Sequence, residues 1–210
     1  MPDTSMVMNP YHQEKVRKNV ETFYRNYYSD NRKRIFIFGI NPGRHGAGIT
    51  GIPFTDPIRL SEVCGIDHHH QHKPELSSVF IYQTIQAYGG ISKFASDFYI
   101  TSVCPLGFIR DGKNLNYYDD KKLQAALYDL IDTNIRKQMA FGADVQRCIC
   151  LGEGKNYKFL SALNDKMKFF SEIVPLPHPR WVMQYKRKNM EEYVQNFVGT
   201  YKRLKRLLNE

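Results

Sequence analysis

The run Lys33-Arg34-Ile35-Phe36-Ile37-Phe38-Gly39 constrains this chain more than any other stretch. Four bulky apolar residues follow one another with no polar alternation, so both faces of the segment must be buried. That pattern belongs to a strand inside a parallel sheet covered by helices on both sides. The strand ends at Gly39 and runs into a segment dense in Gly and Pro, residues 41–57, which reads as a long loop. Further strands are expected over 97–103, stopped by Pro105, over 145–151, and over 169–174. Helices are expected over 11–30, 74–88, 119–141 (capped by Asp119 or Asp120), from the Gly152-Glu153-Gly154 turn to about 165, and over 187–208. Alternating strands and helices imply a mostly parallel sheet in an α/β domain. Functional residues of such sheets gather beyond the C-terminal ends of the strands. That singles out the loops at 41–57, 103–116, 152–156 and 175–185.

Composition removes several classes. The 210 residues are 42% apolar and 24% charged, which excludes wholesale disorder. No window holds the roughly 18 apolar residues of a membrane span. Residues 1–11 lack a basic segment followed by an apolar one, so no secretion signal is expected. Cys64, Cys104, Cys148 and Cys150 are too few for a disulfide scaffold, and the last two alternate on one strand face as core residues. The expectation is a single intracellular domain over 1–210 with no membrane partner, a cytoplasmic location (nucleoid-associated in a bacterium) and a monomeric state. The His68-His69-His70-Gln71-His72 loop lacks a completing ligand set, so no metal is expected there.

The net charge is +9, and +5 of it falls in the last 33 residues. A basic end suits a solvated helix face, an anionic membrane or a phosphate backbone. Lys202, Arg203, Lys205 and Arg206 are expected to be mostly solvated. Arg180, Trp181, Met183, Lys186, Arg187 and Lys188 interleave cations with apolar side chains, a mixture suited to gripping phosphates and wedging between bases. Trp181 fits a core position equally well on composition.

The first loop reads Gly39-Ile40-Asn41-Pro42-Gly43-Arg44, followed by Thr50-Gly51-Ile52-Pro53-Phe54. It has neither the Lys-Ser/Thr end of a Walker loop nor a dinucleotide fingerprint. Asn41, at the end of a buried strand, can hold a water or a polar ligand edge; Phe54 can stack or pack. These motifs closely resemble the single-strand-selective monofunctional branch of the uracil-DNA glycosylase superfamily. The resemblance continues in register through Glu75-Leu76-Ser77-Ser78, Val103-Cys104-Pro105-Leu106, Asp111-Gly112-Lys113-Asn114-Leu115, Cys150-Leu151-Gly152 and His178-Pro179-Arg180, covering about residues 33–190.

The resemblance implies a three-layer α/β/α fold around a four-stranded sheet, and hydrolysis of the N-glycosidic bond of a flipped nucleotide in damaged single- or double-stranded DNA, without a cofactor. It implies that Asn41 positions the attacking water, Phe54 stacks on the base, and His178 stabilises the departing base anion. Gly43 would line the base pocket, with Arg44 and Lys155 on phosphates. Two departures are informative. Where the family has an Asn that reads the pyrimidine edge, this chain has Ser102, whose single hydroxyl implies looser selectivity, extending from uracil to xanthine or hypoxanthine. The last motif is shortened, so either Leu176 or His178 aligns with the family histidine; His178 is preferred because Leu cannot donate a hydrogen bond. No Lys occupies a matched catalytic position, which implies a monofunctional enzyme of base-excision repair. The rival readings are a catalytically silent nucleic-acid binder and a nucleotide or nucleoside hydrolase.

Overall fold

The computed structural model describes residues 6–210; the secretion-signal reading rests in part on residues 1–5, which lie outside it. In chain order the elements are β1 (Met6–Met8), α1 (Glu14–Tyr27), β2 (Arg34–Gly39), α2 (Ala47–Thr50), α3 (Pro57–Glu62), α4 (Leu76–Tyr88), α5 (Ile91–Asp97), β3 (Phe98–Ser102), β4 (Gly107–Arg110), β5 (Lys113–Leu115), α6 (Lys121–Met139), β6 (Ala143–Leu151), α7 (Lys155–Met167), β7 (Glu172–Leu176), α8 (Pro179–Tyr185) and α9 (Met190–Leu208). Short 3-10 turns cover Pro10–His12 and Arg187–Asn189.

The main sheet has the order β3-β2-β6-β7, and every neighbouring pair is parallel. As the apolar run demands, β2 is inside the sheet and all six of its residues are buried. Its side chains alternate between two cores. Ile35 and Ile37 join Ile100, Ile149 and Leu176 beneath α4, α8 and α9. Phe36 and Phe38 join Cys148, Cys150, Phe170 and the apolar stripe of α6, Leu127, Ile131 and Ile135. Helices on both faces give the three-layer α/β/α arrangement expected from the motifs.

Several boundaries differ for physical reasons. Phe169 and Phe170 do not begin a strand. They follow Lys168 in the left-handed region (φ 56°), and Asn164 bonds both the N–H and the C=O of Phe170. The strand starts at Glu172 and continues through Pro175, which an edge strand tolerates because its missing N–H faces outward. Residues 179–185 form α8 rather than loop: Pro179 occupies the first turn, and the His178 ring accepts from the Arg180 N–H as the cap. Lys205, expected in solvent, is 2.9 Å from the buried Asp97 carboxylate and ties α9 to α5.

A second sheet, β1-β4-β5, is antiparallel. Its β4–β5 hairpin turns on Asp111 (φ 51°) and Gly112 (φ 68°), the left-handed pair that a two-residue hairpin needs. This hairpin leans on the first motif loop, as detailed below.

Asp56 anchors the other end of that loop. Fully buried, it caps α3 through the Arg59 N–H, pairs with the Arg59 guanidinium at 3.2 Å, and accepts from the Glu75 N–H at 2.8 Å. Asp56→Ala removes the cap and strands a partly buried Arg. It is expected to cost about 3 kcal/mol, read from the urea midpoint. A loss below about 1 kcal/mol would show that the three contacts are replaceable.

Candidate active site

The loops that follow β2, β3 and β7 converge on a cavity of about 70 Å³. Asn41, Gly43, Phe54, Glu75, Ser77, Ser102, Asn114, Asn116, His178 and Arg180 all contribute to its wall. Residues more than a hundred positions apart in sequence thus meet in one small space.

Asn41 leaves the end of β2 with its amide clamped by backbone on both sides. Its Nδ2 donates to the Leu115 carbonyl at 3.3 Å, and its Oδ1 accepts from the Tyr117 N–H at 3.2 Å. One lone pair of Oδ1 remains available to a third partner. Tyr117 is itself fixed, since its hydroxyl donates to the buried Asn156, which donates to the carbonyls of Gly39 and Leu151. The amide orientation follows from this chain of contacts rather than from local rotamer preference.

Phe54 has φ 54°, a conformation that costs a residue with a side chain on the order of 1 kcal/mol. Its ring lies over Gly39: a Cβ there would stand 2.5 Å from the ring edge. The His178 ring is a further neighbour, tilted to it with centroids 6.2 Å apart. Gly39 is therefore part of the site's construction, since only a residue without a side chain allows the ring to settle there. Ser102 ends β3 and is buried against the same cavity.

His178 caps α8, accepting at Nδ1 from the Arg180 N–H at 3.2 Å. Burial, with Arg180 adding repulsion, pushes its pKa down to about 4. The ring is neutral at ordinary pH, and with Nδ1 acting as an acceptor the proton sits on Nε2. Leu176 lies in the β7 ladder opposite Leu151 and is buried, so the shortened motif presents His178 and not Leu176 to the cavity.

The expected DNA contacts divide. Arg180, Trp181, Lys186, Arg187 and Lys188 are exposed on one continuous segment beside His178. Trp181, 40% exposed, carries the Lys186 ammonium over its ring at 5.6 Å and meets Tyr193 edge-on, so it is a surface residue and not core. Met183 is corrected: it lies on the inner face of α8, packed in the core, and its side chain is withdrawn from any DNA surface. Lys155 opens α7 in solvent, 3.7 Å from Asp119, and is not part of the cavity wall. Arg44 lines an adjoining space, its N–H held by Asn114 Oδ1.

Motif spacing assigned no role to Glu75, Asn114 or Asn116, although the first two fall inside motif segments. Glu75 is the notable one, among the described residues the only carboxyl in the cavity wall. The His68 ring stacks on His70 and meets His72 at a tilt, and it is bonded to the Pro57 carbonyl. A cavity of about 540 Å³ along β3, lined by Tyr11, Tyr24, Tyr28 and Tyr99, is larger than the motif cavity. It shares only Pro42, Ala47 and Ser102 with it.

Comparison with known proteins agrees with this fold. The profile of the Uracil DNA glycosylase superfamily matches residues 26–202. The chain belongs to the uracil-DNA glycosylase superfamily. The family places it among DNA glycosylases, hydrolases of the N-glycosidic bond that act on DNA. Among solved structures, Pedobacter heparinus SMUG2 is similar at 47% identity and a TM-score of 0.92, covering 97% of this chain and 90% of that one. No curated protein matches the sequence significantly. None of the described helices is long and apolar enough to cross a membrane.

Proposed function

We propose that the protein is a monofunctional glycosylase of base-excision repair that releases uracil, and with it other deaminated bases, from DNA. The observation that carries this reading is the meeting of Asn41, Phe54, Ser102 and His178 around one cavity. The nucleotide is taken out of the stack and its base enters the cavity, because the bond is unreachable inside a duplex. Phe54 stacks on the base, Gly43 lets it approach the loop backbone, and the Ser102 hydroxyl meets its polar edge. A water accepted by the free lone pair of Asn41 Oδ1 attacks the sugar carbon. The base leaves as an anion, met by the Nε2–H of a neutral His178.

A neutral donor suits this step. A cationic imidazole would surrender its proton, whereas a neutral one stabilises the anion by hydrogen bonding alone. No Lys lines the cavity, which supports hydrolysis without a Schiff base. Arg44 and Arg180 beside the cavity, and Lys186, Arg187 and Lys188 farther along, would hold phosphates, with Lys155 a contact at the rim.

The test is base release from single- and double-stranded oligonucleotides carrying uracil, xanthine, hypoxanthine or hydroxymethyluracil. Free base and an intact abasic strand are expected. Release of none of them overturns the reading, and strand cleavage without base treatment overturns the monofunctional part.

Trp181 gives an independent signal as the single Trp of the chain. Binding of an abasic-site duplex is expected to quench its emission by ring stacking. An emission spectrum unchanged at saturation would remove Trp181 from the DNA surface.

A further inference from the structure

We propose that Glu75 is the residue that extends this site to deaminated purines, donating a proton to N7 of hypoxanthine or xanthine as the base departs. The inference rests on the glycosylase reading above and assigns a residue to the purine part of its substrate range.

The geometry comes first. Glu75 immediately precedes α4, its backbone N–H tied to Asp56, and its carboxyl lies against the backbone of the first motif loop. A Cβ on Gly43 would overlap Oε1, and one on Gly46 would overlap Oε2, so both glycines make room for this carboxyl. Glu75, Asn114 and Arg180 line the 70 Å³ motif cavity and also an adjoining space of about 420 Å³. They form the partition between the two. In a purine, N7 shares the five-membered ring with N9, the atom bonded to the sugar, so N7 stays close to the bond that breaks while the six-membered ring takes the added depth. A group that protonates N7 must therefore stand in the cavity wall near Asn41, and among the described residues Glu75 is the one carboxyl in that wall.

The electrostatics fit a proton donor. Among the described residues, no hydrogen bond or ion pair is made by the carboxyl itself. Burial and then the neighbouring Asp56 carboxylate raise its pKa, Arg180 lowers it, and the balance is about 7. The other titratable groups around it are His45, Arg44 and Lys113 across the adjoining space and neutral His178 across the cavity. A raised carboxyl is protonated below its pKa, so the donor form is present at pH 6 and lost above pH 7.

The step balances as follows. The Glu75 O–H bond breaks and an N7–H bond forms. The electron pair of the C1′–N9 bond moves onto the base, which leaves as a neutral purine. The water held by Asn41 forms the new C1′–O bond, and the proton it sheds to solvent balances the one that restores the carboxyl. Uracil needs no such donor, because it departs as an anion met by His178.

The experiment compares hypoxanthine and uracil release, under single-turnover conditions, by the wild type and Glu75→Gln between pH 6 and 9. Gln keeps the shape and cannot transfer a proton. In the wild type, hypoxanthine release is expected to fall about tenfold per pH unit above 7, with no matching fall for uracil. In Glu75→Gln, the hypoxanthine-to-uracil rate ratio at pH 6 is expected to drop at least ~30-fold, and the limb above pH 7 to vanish. An unchanged ratio, a wild-type hypoxanthine rate flat across pH 6–9, or uracil release without purine release each overturns the role of Glu75 while leaving the glycosylase reading intact. Release of no base at all takes both down. The wild-type pH profile decides the matter even if the variant folds poorly.

Discussion

Asn41→Ala is expected to slow single-turnover uracil release by about a thousandfold. A factor of that size corresponds to about 4 kcal/mol of transition-state stabilisation, within the range that positioning of a nucleophile supplies. The amide is well placed to supply it, since Leu115 and Tyr117 fix its orientation and leave a single acceptor position open. The fold should survive. Three backbone contacts, to Pro42, Leu115 and Tyr117, are lost from a partly buried position, at a cost of about 3 kcal/mol. Rapid-quench release of uracil, together with a thermal melt, separates the two effects. Activity within tenfold of wild type, in a folded variant, would mean that the water is held by some other group.

The second large effect is expected at His178. Removing the donor to the departing base in His178→Ala is expected to cost two to three orders of magnitude in the same assay. The position also predicts a stability effect of known sign. The folded ring has its pKa depressed to about 4 against an ordinary value near 6.5. Between those values the unfolded chain binds the extra proton and the folded one does not. Acidification from pH 6.5 to 4 therefore destabilises the native state. His178→Ala should lose less stability than the wild type over that interval, as followed by urea midpoints. Equal losses would show that the ring is as easily protonated in the fold as outside it.

The sheet was legible in the sequence because its signal is collective. The unbroken run from Ile35 to Phe38 can be satisfied only between two apolar layers, and the stripes of α6 and α9 supply faces for those layers. What escaped was local. α2, α3 and α5 are four to seven residues long, too short for periodicity to register. The aromatic pair Phe169-Phe170 has strand chemistry yet fills the core from a turn. The Asp111-Gly112 hairpin carried its own signal, the residue pair that left-handed turns favour, but it was read only as part of a motif.

The same division holds at the site. Asn41, Phe54, Ser102 and His178 stand in ordered motifs, so their convergence was foreseeable. Glu75 was not, because its importance lies in where Gly43 and Gly46 leave space, a relation between backbones that sequence does not display. Met183 failed for the opposite reason: its neighbours Arg180 and Lys186 are exposed, but a helix turns its inner face to the core.

The order β3-β2-β6-β7 has a consequence for how this molecule comes into being. β2 waits for residues 143–151 before its second edge is covered, and His178 follows an edge strand that docks against β6 alone. β1 pairs with β4, about a hundred positions later in the chain. Such long-range closures make folding slow relative to helical domains of similar size. A nascent chain emerging from the ribosome thus carries Asn41 and Phe54 long before it carries His178, and cannot complete its cavity until β7 and the residues just after it have been made.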